Sequence, residues 1–243
     1  MKIGLRGGHS PNCKGAMGYL DEQAEVRKIY RELRPMLEAQ GHTVVDCNSD
    51  EYSSGADLRK GTSTANNNKC DLFMSIHMNA SNGKGHGSEV WLYNHKLDDK
   101  ARTICSNLSA LGLTNRGLKY SQSFHDLRAT AMPAMIIETL FCDNKGDSDI
   151  YTANGASGIA KAIAKAFGEV KAVPKPTPKP TATAYKVRVT ASALNVRDGA
   201  GTNYKINTVI RDKGVYTIVD EKNGWGKLKS GAGWISLAYT KRV

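Results

Sequence analysis

Apolar and polar residues follow two alternating patterns along the first two-thirds of the chain. Short apolar runs, which predict strands, cover residues 2–5, 43–47, 71–76, 88–93 and 134–137. Longer segments of helical character predict helices over residues 21–40, 58–67, 97–111 and 155–167. Pro35 is an irregularity in the first helix, because proline lacks the N–H that a helix interior uses. The alternation predicts an α/β domain, with a mixed, largely parallel sheet flanked by helices.

The pattern changes across a proline-rich segment. Four prolines alternate with lysine and threonine in KAVPKPTPKPTATA, which is typical of an extended, semi-rigid spacer. Short β-rich segments follow at residues 186–190, 194–197, 206–210, 215–219, 225–228 and 233–235. The sequence therefore predicts a first domain at 1–169, a linker at 170–184 and a small all-β barrel at 185–243.

Charge is distributed unevenly between these parts. The net charge of the chain is +11. Residues 1–169 hold 20 Lys and Arg against 19 Asp and Glu, a balance of +1, whereas residues 185–243 hold 11 against 4, a balance of +7. A basic module joined to a near-neutral domain predicts a polyanionic partner for the module, such as nucleic acid, anionic lipid or an anionic wall polymer.

Cysteine usage and the N-terminal segment bear on location. The five cysteines are odd in number, precede the linker and form no CxxC, which favours reduced thiols over a disulfide framework. The longest apolar runs fall short of the roughly 20 residues of a membrane span. The opening residues also lack the apolar core, about 7–15 residues, of a signal peptide. We therefore expect synthesis in the cytoplasm, without a membrane span, and action outside only after release.

Three candidate chemical groups follow predicted apolar strands. His9 follows strand 2–5, His77 follows strand 71–76 and Glu138 follows strand 134–137. Sites in open α/β sheets form outside the carboxyl ends of the strands, so we expect these groups to meet at one edge. Two histidines and a carboxylate form a common ligand set for catalytic zinc. Glu22 and Glu25 both begin the first helix, and their spacing alone leaves either as the third ligand.

Several segments carry a family resemblance: KIGLRGGHS, YLDEQAE, SIHMNAS, GSEVWLY and LRATAMPAMIIETLFCDN. Residues 1–169 resemble the zinc-dependent N-acetylmuramoyl-L-alanine amidases of phage endolysins and bacterial autolysins (amidase family 3). The resemblance implies zinc ligands at His9, Glu22 and His77 and a catalytic glutamate at Glu138. It favours Glu22 over Glu25, because the family's ligand is the first glutamate after the short loop and directly follows an Asp or Asn. Asp21-Glu22 matches that pair here. The chain departs from the family's DPGHGG opening, which leaves the histidine in place but alters the first loop.

The resemblance also implies a reaction, the hydrolysis of the amide bond between N-acetylmuramic acid and L-alanine in bacterial peptidoglycan. Zn²⁺ polarises the carbonyl and activates water, while Glu138 takes the water proton and delivers it to the leaving amine. Asn79, two residues beyond His77, and Arg128, before the Glu138 strand, are candidate substrate-binding residues. Glu89 suits either a functional or a structural role.

Two segments of the basic module, ALNVRDGAGTNYKIN and GWGKLKSGAGWIS, resemble bacterial SH3-like domains. Such domains hold wall hydrolases to peptidoglycan or to associated polymers. We therefore expect peptidoglycan and anionic wall polymers as partners, and no nucleic acid. Candidate ligand contacts are Tyr204, Trp225, Trp234 and Tyr239, for which packing in the barrel is the competing interpretation.

Other functions fit the same residues. A zinc peptidase would cut within the stem peptide, and a non-catalytic protein would only bind the wall. Within the amidase interpretation, the absence of a signal peptide favours an endolysin over a secreted autolysin. A lysin acting in sporulation has the same sequence features.

Overall fold

The computed structural model of the protein describes residues 1–170, 184–202 and 204–243. The chain divides into two compact units, residues 1–173 and 174–243. The predicted linker at 170–184 lies almost entirely outside the described residues. The boundaries drawn from the sequence, 1–169 and 185–243, stay predictions.

A six-stranded sheet forms the centre of the first unit. Its strands are β1 (Lys2–Gly7), β2 (Thr43–Asp46), β3 (Leu72–Asn79), β4 (Ser88–Leu92), β5 (Asn115–Tyr120) and β6 (Ala134–Phe141). Their order is β2-β1-β3-β6-β4-β5. The described neighbouring strands pair in parallel, with the exception of β4 and β6, which are antiparallel. The predicted mixed, largely parallel sheet is therefore confirmed.

Helices cover both faces of this sheet. They are α1 (Glu22–Ala39), α2 (Ser54–Asn67), α3 (Asp98–Ser109), α4 (His125–Arg128) and α5 (Lys145–Ala164). α1, α3 and α5 pack on the face that carries Met74 and Ile76, and they form the main core there. α2 and α4 contribute Ala65 and Leu127 to a smaller core on the face that carries Phe73. No helix among the described residues combines the length and apolar character needed to cross a membrane.

Helix α1 shows how the sequence pattern becomes structure. Asp21 caps its N-terminus by accepting a hydrogen bond from the Ala24 N–H at 3.1 Å. Val26, Ile29, Leu33 and Leu37 repeat at helical spacing and are fully buried. Pro35 lies inside the helix without ending it. It removes the donor for the carbonyl of Arg31, an exposed residue at which water can supply the missing hydrogen bond.

The two central strands are longer than the sequence predicts. His77 and Glu138, expected just beyond strands, lie within β3 and β6. Each of these strands has a partner on both sides, and the ladder therefore continues through the polar residues. α5 consists of two helical segments joined by a kink at Gly155, where φ is 66°. The second segment starts where the predicted helix does, and the first, from Lys145, was not predicted. β5 and α4 were not predicted, because NRGLKY and HDLR carry neither a clear apolar alternation nor helical periodicity.

The second unit is an antiparallel all-β structure. Its strands are β7 (Tyr185–Val189), β8 (Leu194–Arg197), β9 (Ile206–Ile210), β10 (Val215–Lys222), β11 (Trp225–Leu228), β12 (Trp234–Ser236) and β13 (Thr240–Arg242). They form one sheet in the order β13-β7-β10-β11-β12-β8-β9. Alternate residues such as Val187 and Val189 point into a small apolar core with Ile218 and Ile235. The β-rich prediction is confirmed, whereas the SH3-like identity of the sheet stays a prediction.

Candidate metal centre and active site

Three residues distant in sequence converge at one edge of the first sheet. His9 lies in the loop after β1, Glu22 is the first residue of α1, and His77 lies near the end of β3. Glu22 Oε2 is 3.2 Å from His9 Nε2, and Glu22 Oε1 is 3.0 Å from His77 Nδ1. One ligand atom from each residue falls within 4.8 Å of the others, a spacing at which one metal ion can contact all three.

The backbone around this cluster is shaped to hold it. A Cβ atom built at Gly8 would overlap the His77 ring, and one built at Gly15 would overlap the side chains of Glu22 and His9. His9 itself adopts a left-handed conformation with φ of 63°, which is uncommon outside glycine and concentrates at functional sites. Two imidazole nitrogens and a carboxylate, enclosed in this way, are a donor set that fits zinc.

Glu22 is the electrostatic centre of the cluster. Burial raises its pKa, but hydrogen bonds with His77 and His9 outweigh that effect and hold the pKa well below its usual range. The backbone N–H groups of Ala16 and Met78 also donate to its two oxygens, at 2.8 and 3.1 Å. For His77, burial lowers the pKa. The hydrogen bond with Glu22 and the charges of Glu138 and other nearby carboxylates act in the opposite direction and outweigh burial, so the pKa of His77 is raised. A fully ionised carboxylate therefore faces the two imidazoles.

The structure separates the two glutamates that spacing could not. Glu25 lies one turn along α1 and is engaged elsewhere, because it accepts a hydrogen bond from the Tyr151 hydroxyl at 2.8 Å. It also pairs with Lys28 at 2.7 Å. Glu22, not Glu25, belongs to the cluster with the histidines.

Glu138 lies beside this cluster on the next strand. Its Cα is paired with that of His77 across β3 and β6. Its Oε2 atom is buried and has no hydrogen-bond partner among the described residues. Burial, supplemented by the charges of Glu22 and Glu89, raises the pKa of Glu138 to about 7, although His77 acts in the opposite direction. Such a carboxyl can exchange a proton near neutral pH.

Glu89 flanks Glu138 on the other side, across β4 and β6. It is buried and accepts hydrogen bonds from Arg116 Nε at 2.8 Å, Trp91 Nε1 at 3.1 Å and Asn79 Nδ2 at 3.3 Å. The candidate substrate residue Asn79 is therefore linked by a hydrogen bond to Glu89, which neighbours Glu138 in the sheet. Arg116 was not identified from its sequence context, because its strand β5 has no clear apolar alternation.

Arg128 is placed apart from these groups. It lines a cavity of about 280 Å³ together with Tyr93, Lys96 and Ala134. Ala134 begins β6, and Glu138 is four residues further along that strand, a separation of about 13 Å. The substrate-binding roles of Arg128 and Asn79 stay predictions.

The second unit has a cavity of its own. It measures about 630 Å³ and is lined by Trp225 and Tyr239, with Asn195 and Arg197. Tyr204 and Trp234, the other two aromatic candidates, are not among the described residues that line it. Tyr239 is 56% exposed, and its ring is therefore available to a ligand.

Comparison with known proteins identifies relatives of the first unit. The sequence profile of a family described as N-acetylmuramoyl-L-alanine amidase matches residues 3–169. An uncharacterized protein of Clostridium perfringens is 38% identical over 169 residues, which cover 67% of this chain and 50% of that protein. The sporulation-specific N-acetylmuramoyl-L-alanine amidase of Bacillus subtilis is 34% identical over 157 residues, which cover 61% of this chain and 59% of that protein. The chain thus spans about half to three-fifths of the length of these relatives.

A solved structure agrees with the fold. The catalytic domain of the CD27L endolysin targeting Clostridia difficile matches with a TM-score of 0.65 and 31% sequence identity. The match covers 70% of this chain and 99% of that domain.

Proposed function

The chain belongs to the N-acetylmuramoyl-L-alanine amidase family, and we propose that its first unit hydrolyses the amide bond between N-acetylmuramic acid and L-alanine in bacterial peptidoglycan. The observation that carries the proposal is the convergence of His9, Glu22 and His77 beside Glu138. A metal-ligand set next to a carboxyl whose pKa lies near neutrality is the arrangement that metal-assisted amide hydrolysis requires.

The proposed cofactor is zinc, held by His9, Glu22 and His77. When bound, zinc would polarise the scissile carbonyl and make a water molecule more acidic. The protein's part is to keep the ligands aligned, which the backbone donors to Glu22 and the close approach of Gly8 to His77 support. The three protein ligands leave a position open for water and substrate.

Glu138 is the proposed acid and base. Its unpartnered Oε2 accepts a proton from the attacking water as the water oxygen bonds to the carbonyl carbon. The same oxygen then delivers that proton to the nitrogen of L-alanine as the C–N bond breaks. Burial raises the pKa of Glu138 to about 7 in the metal-free site, and a bound cation nearby would favour the ionised form that accepts the proton.

We also propose that the second unit is an SH3-like module that tethers the enzyme to the wall. Residues 185–243, which form its strands, carry a net charge of +7, which suits anionic wall polymers. The Trp225 and Tyr239 cavity offers aromatic surface for a ligand.

The proposed biological role is that of an endolysin, made in the cytoplasm and acting on the wall after release at lysis. The likeness to an endolysin catalytic domain over 99% of its length supports this role. The similarity to a sporulation-specific amidase keeps a lysin of sporulation as the second candidate.

Digestion of purified peptidoglycan tests the proposal. We expect new L-alanine amino termini and intact glycan strands by mass spectrometry, and loss of the activity in the presence of a chelator. Cuts between stem-peptide residues would instead identify a zinc peptidase. Binding to the wall without any cleavage would identify a non-catalytic protein.

A further inference from the structure

We propose that Ser75 is a positioning residue, which fixes the His77 ring so that Nδ1 faces the metal. The inference rests on the proposed zinc site. Ser75 lies at the centre of β3 and is fully buried. Its Oγ is 3.0 Å from His77 Nε2, the ring nitrogen that points away from Glu22.

The position of Ser75 follows from strand geometry. Residues two apart on a strand point to the same face of the sheet, so the Ser75 side chain stands directly beside that of His77. Its neighbours across the sheet are Arg6 on β1 and Ile136 on β6. Among the described residues, His77 is the only hydrogen-bonding partner of the Ser75 hydroxyl. Within the described part of the chain, the Ser75 hydroxyl therefore bonds to the His77 imidazole and to no other side chain.

The chemistry of imidazole gives this contact its role. A ring nitrogen that binds a cation must offer its lone pair, and the other nitrogen then carries the proton. Because Nδ1 faces Glu22, Nε2–H is the donor, and Ser75 Oγ is the acceptor available to it. Such an acceptor fixes both the tautomer and the orientation of a ligating histidine.

Gly8 closes the other side of the ring. Its backbone N–H donates to the Ile76 carbonyl at 2.7 Å, and a Cβ at this position would overlap the His77 ring. The ring is therefore held between a backbone surface and one hydroxyl. A 180° flip of the His77 ring would place carbon atoms opposite Glu22 Oε1 and Ser75 Oγ, and both hydrogen bonds would be lost.

The test compares zinc affinity in full-length variants by competition with a chromophoric chelator. Ser75→Ala should weaken zinc binding about 10–100-fold. Ser88→Ala is the matched control, because Ser88 is equally buried in the same sheet and its hydroxyl has no hydrogen-bond partner among the described residues. The control should change zinc affinity less than about 3-fold, and Ser75→Thr should recover most of the wild-type affinity because it restores the hydroxyl.

A second measurement needs no variant. In zinc-loaded wild-type protein with ¹⁵N-labelled histidine, NMR should find the His77 proton on Nε2 and the metal on Nδ1. Metal on Nε2, or a Ser75→Ala affinity equal to that of Ser88→Ala, would overturn the inference while leaving the zinc site intact. Wild-type protein that takes up no zinc would overturn both this inference and the proposed cofactor.

Discussion

The Cα atoms of His77 and Glu138 are directly paired across the parallel strands β3 and β6. The pairing places a candidate metal ligand and a candidate base side by side through backbone register, on neighbouring strands about 4.8 Å apart. The separation between their Cα atoms is therefore set by the sheet. A site built on strands in this way holds its groups more tightly than one built on loops.

Replacing Glu138 by Gln tests its role in proton transfer. The amide has nearly the same shape but cannot accept the water proton, so we expect turnover to fall about 10²–10⁴-fold. Zinc content should remain at the wild-type level, since Glu138 is not one of the three clustered ligand residues. The measurement is the rate of amino-terminus release from purified walls, together with metal analysis.

Glu25→Gln is the matched control for that variant. Glu25 contacts Tyr151 and Lys28 outside the cluster, and activity should stay within a few-fold of wild type. A near-normal rate in Glu138→Gln would show that another group carries the proton.

The convergence of the candidate residues was predicted from the sequence more accurately than the strands that carry them. His9, His77 and Glu138 were found because each sits near an apolar run, although two of them lie inside their strands. The extension to Asn79 was missed because a ladder continues through polar residues when partner strands lie on both sides. A pattern within one segment carries no information about its partners.

Contacts between distant segments were also invisible to the sequence. Spacing left Glu22 and Glu25 as alternatives, and only the fold brings Tyr151 to Glu25 and the histidines to Glu22. The Arg116–Glu89 pair likewise depends on β5, a polar strand paired only with β4 among the described strands. Helix α1, by contrast, was predictable because its apolar stripe and its Asp21 cap are local features.

A buried ion pair between Arg6 and Asp57 is expected to contribute to the stability of the first unit. Arg6 and Asp57 are almost fully buried and form a salt bridge between β1 and α2. Asp57→Asn removes the nearest partner of the Arg6 charge and leaves only the buried Asp126 carboxylate, 4.0 Å away. The free energy of unfolding should therefore fall by about 2–3 kcal/mol in urea titrations, less than for a buried charge left wholly unpaired.

The exposed Lys145–Asp149 pair on α5 is the comparison for that experiment. Asp149→Asn should change stability by less than about 0.5 kcal/mol, because water already solvates both groups. Equal effects of the two variants would contradict the importance of the buried pair.

Thiol reactivity tests the prediction of reduced cysteines. Burial raises the pKa of Cys47 to about 12 and that of Cys105 and Cys142 to about 11, and it also raises the pKa of Cys70. A raised pKa keeps the thiol protonated and unreactive. At pH 8, a thiol with a pKa of 11 is ionised to the reactive thiolate in only about one molecule in a thousand. A thiol reagent should therefore modify one residue quickly in the native protein, the partly exposed Cys13, and all five after denaturation without reductant. Fewer than five would indicate a disulfide.

The cavity of the second unit predicts where the wall ligand binds. Tyr239→Ala removes an exposed aromatic ring from the cavity wall, and affinity for purified walls should fall about 10-fold in pelleting assays. Tyr204→Ala, which removes a similarly exposed ring outside that lining, should have little effect. A larger loss of affinity in Tyr204→Ala than in Tyr239→Ala would indicate that the wall ligand binds at the surface around Tyr204.

Zinc stoichiometry is the most direct test of the proposed site. The full chain should be loaded with zinc, freed of excess metal and analysed by mass spectrometry for zinc per chain, alongside His9→Ala and His77→Ala. We predict one zinc per wild-type chain and strong depletion in both variants, because each removes one of three ligands in a single cluster. A wild-type chain that retains no zinc, or histidine variants that hold zinc as well as the wild type does, would contradict this account.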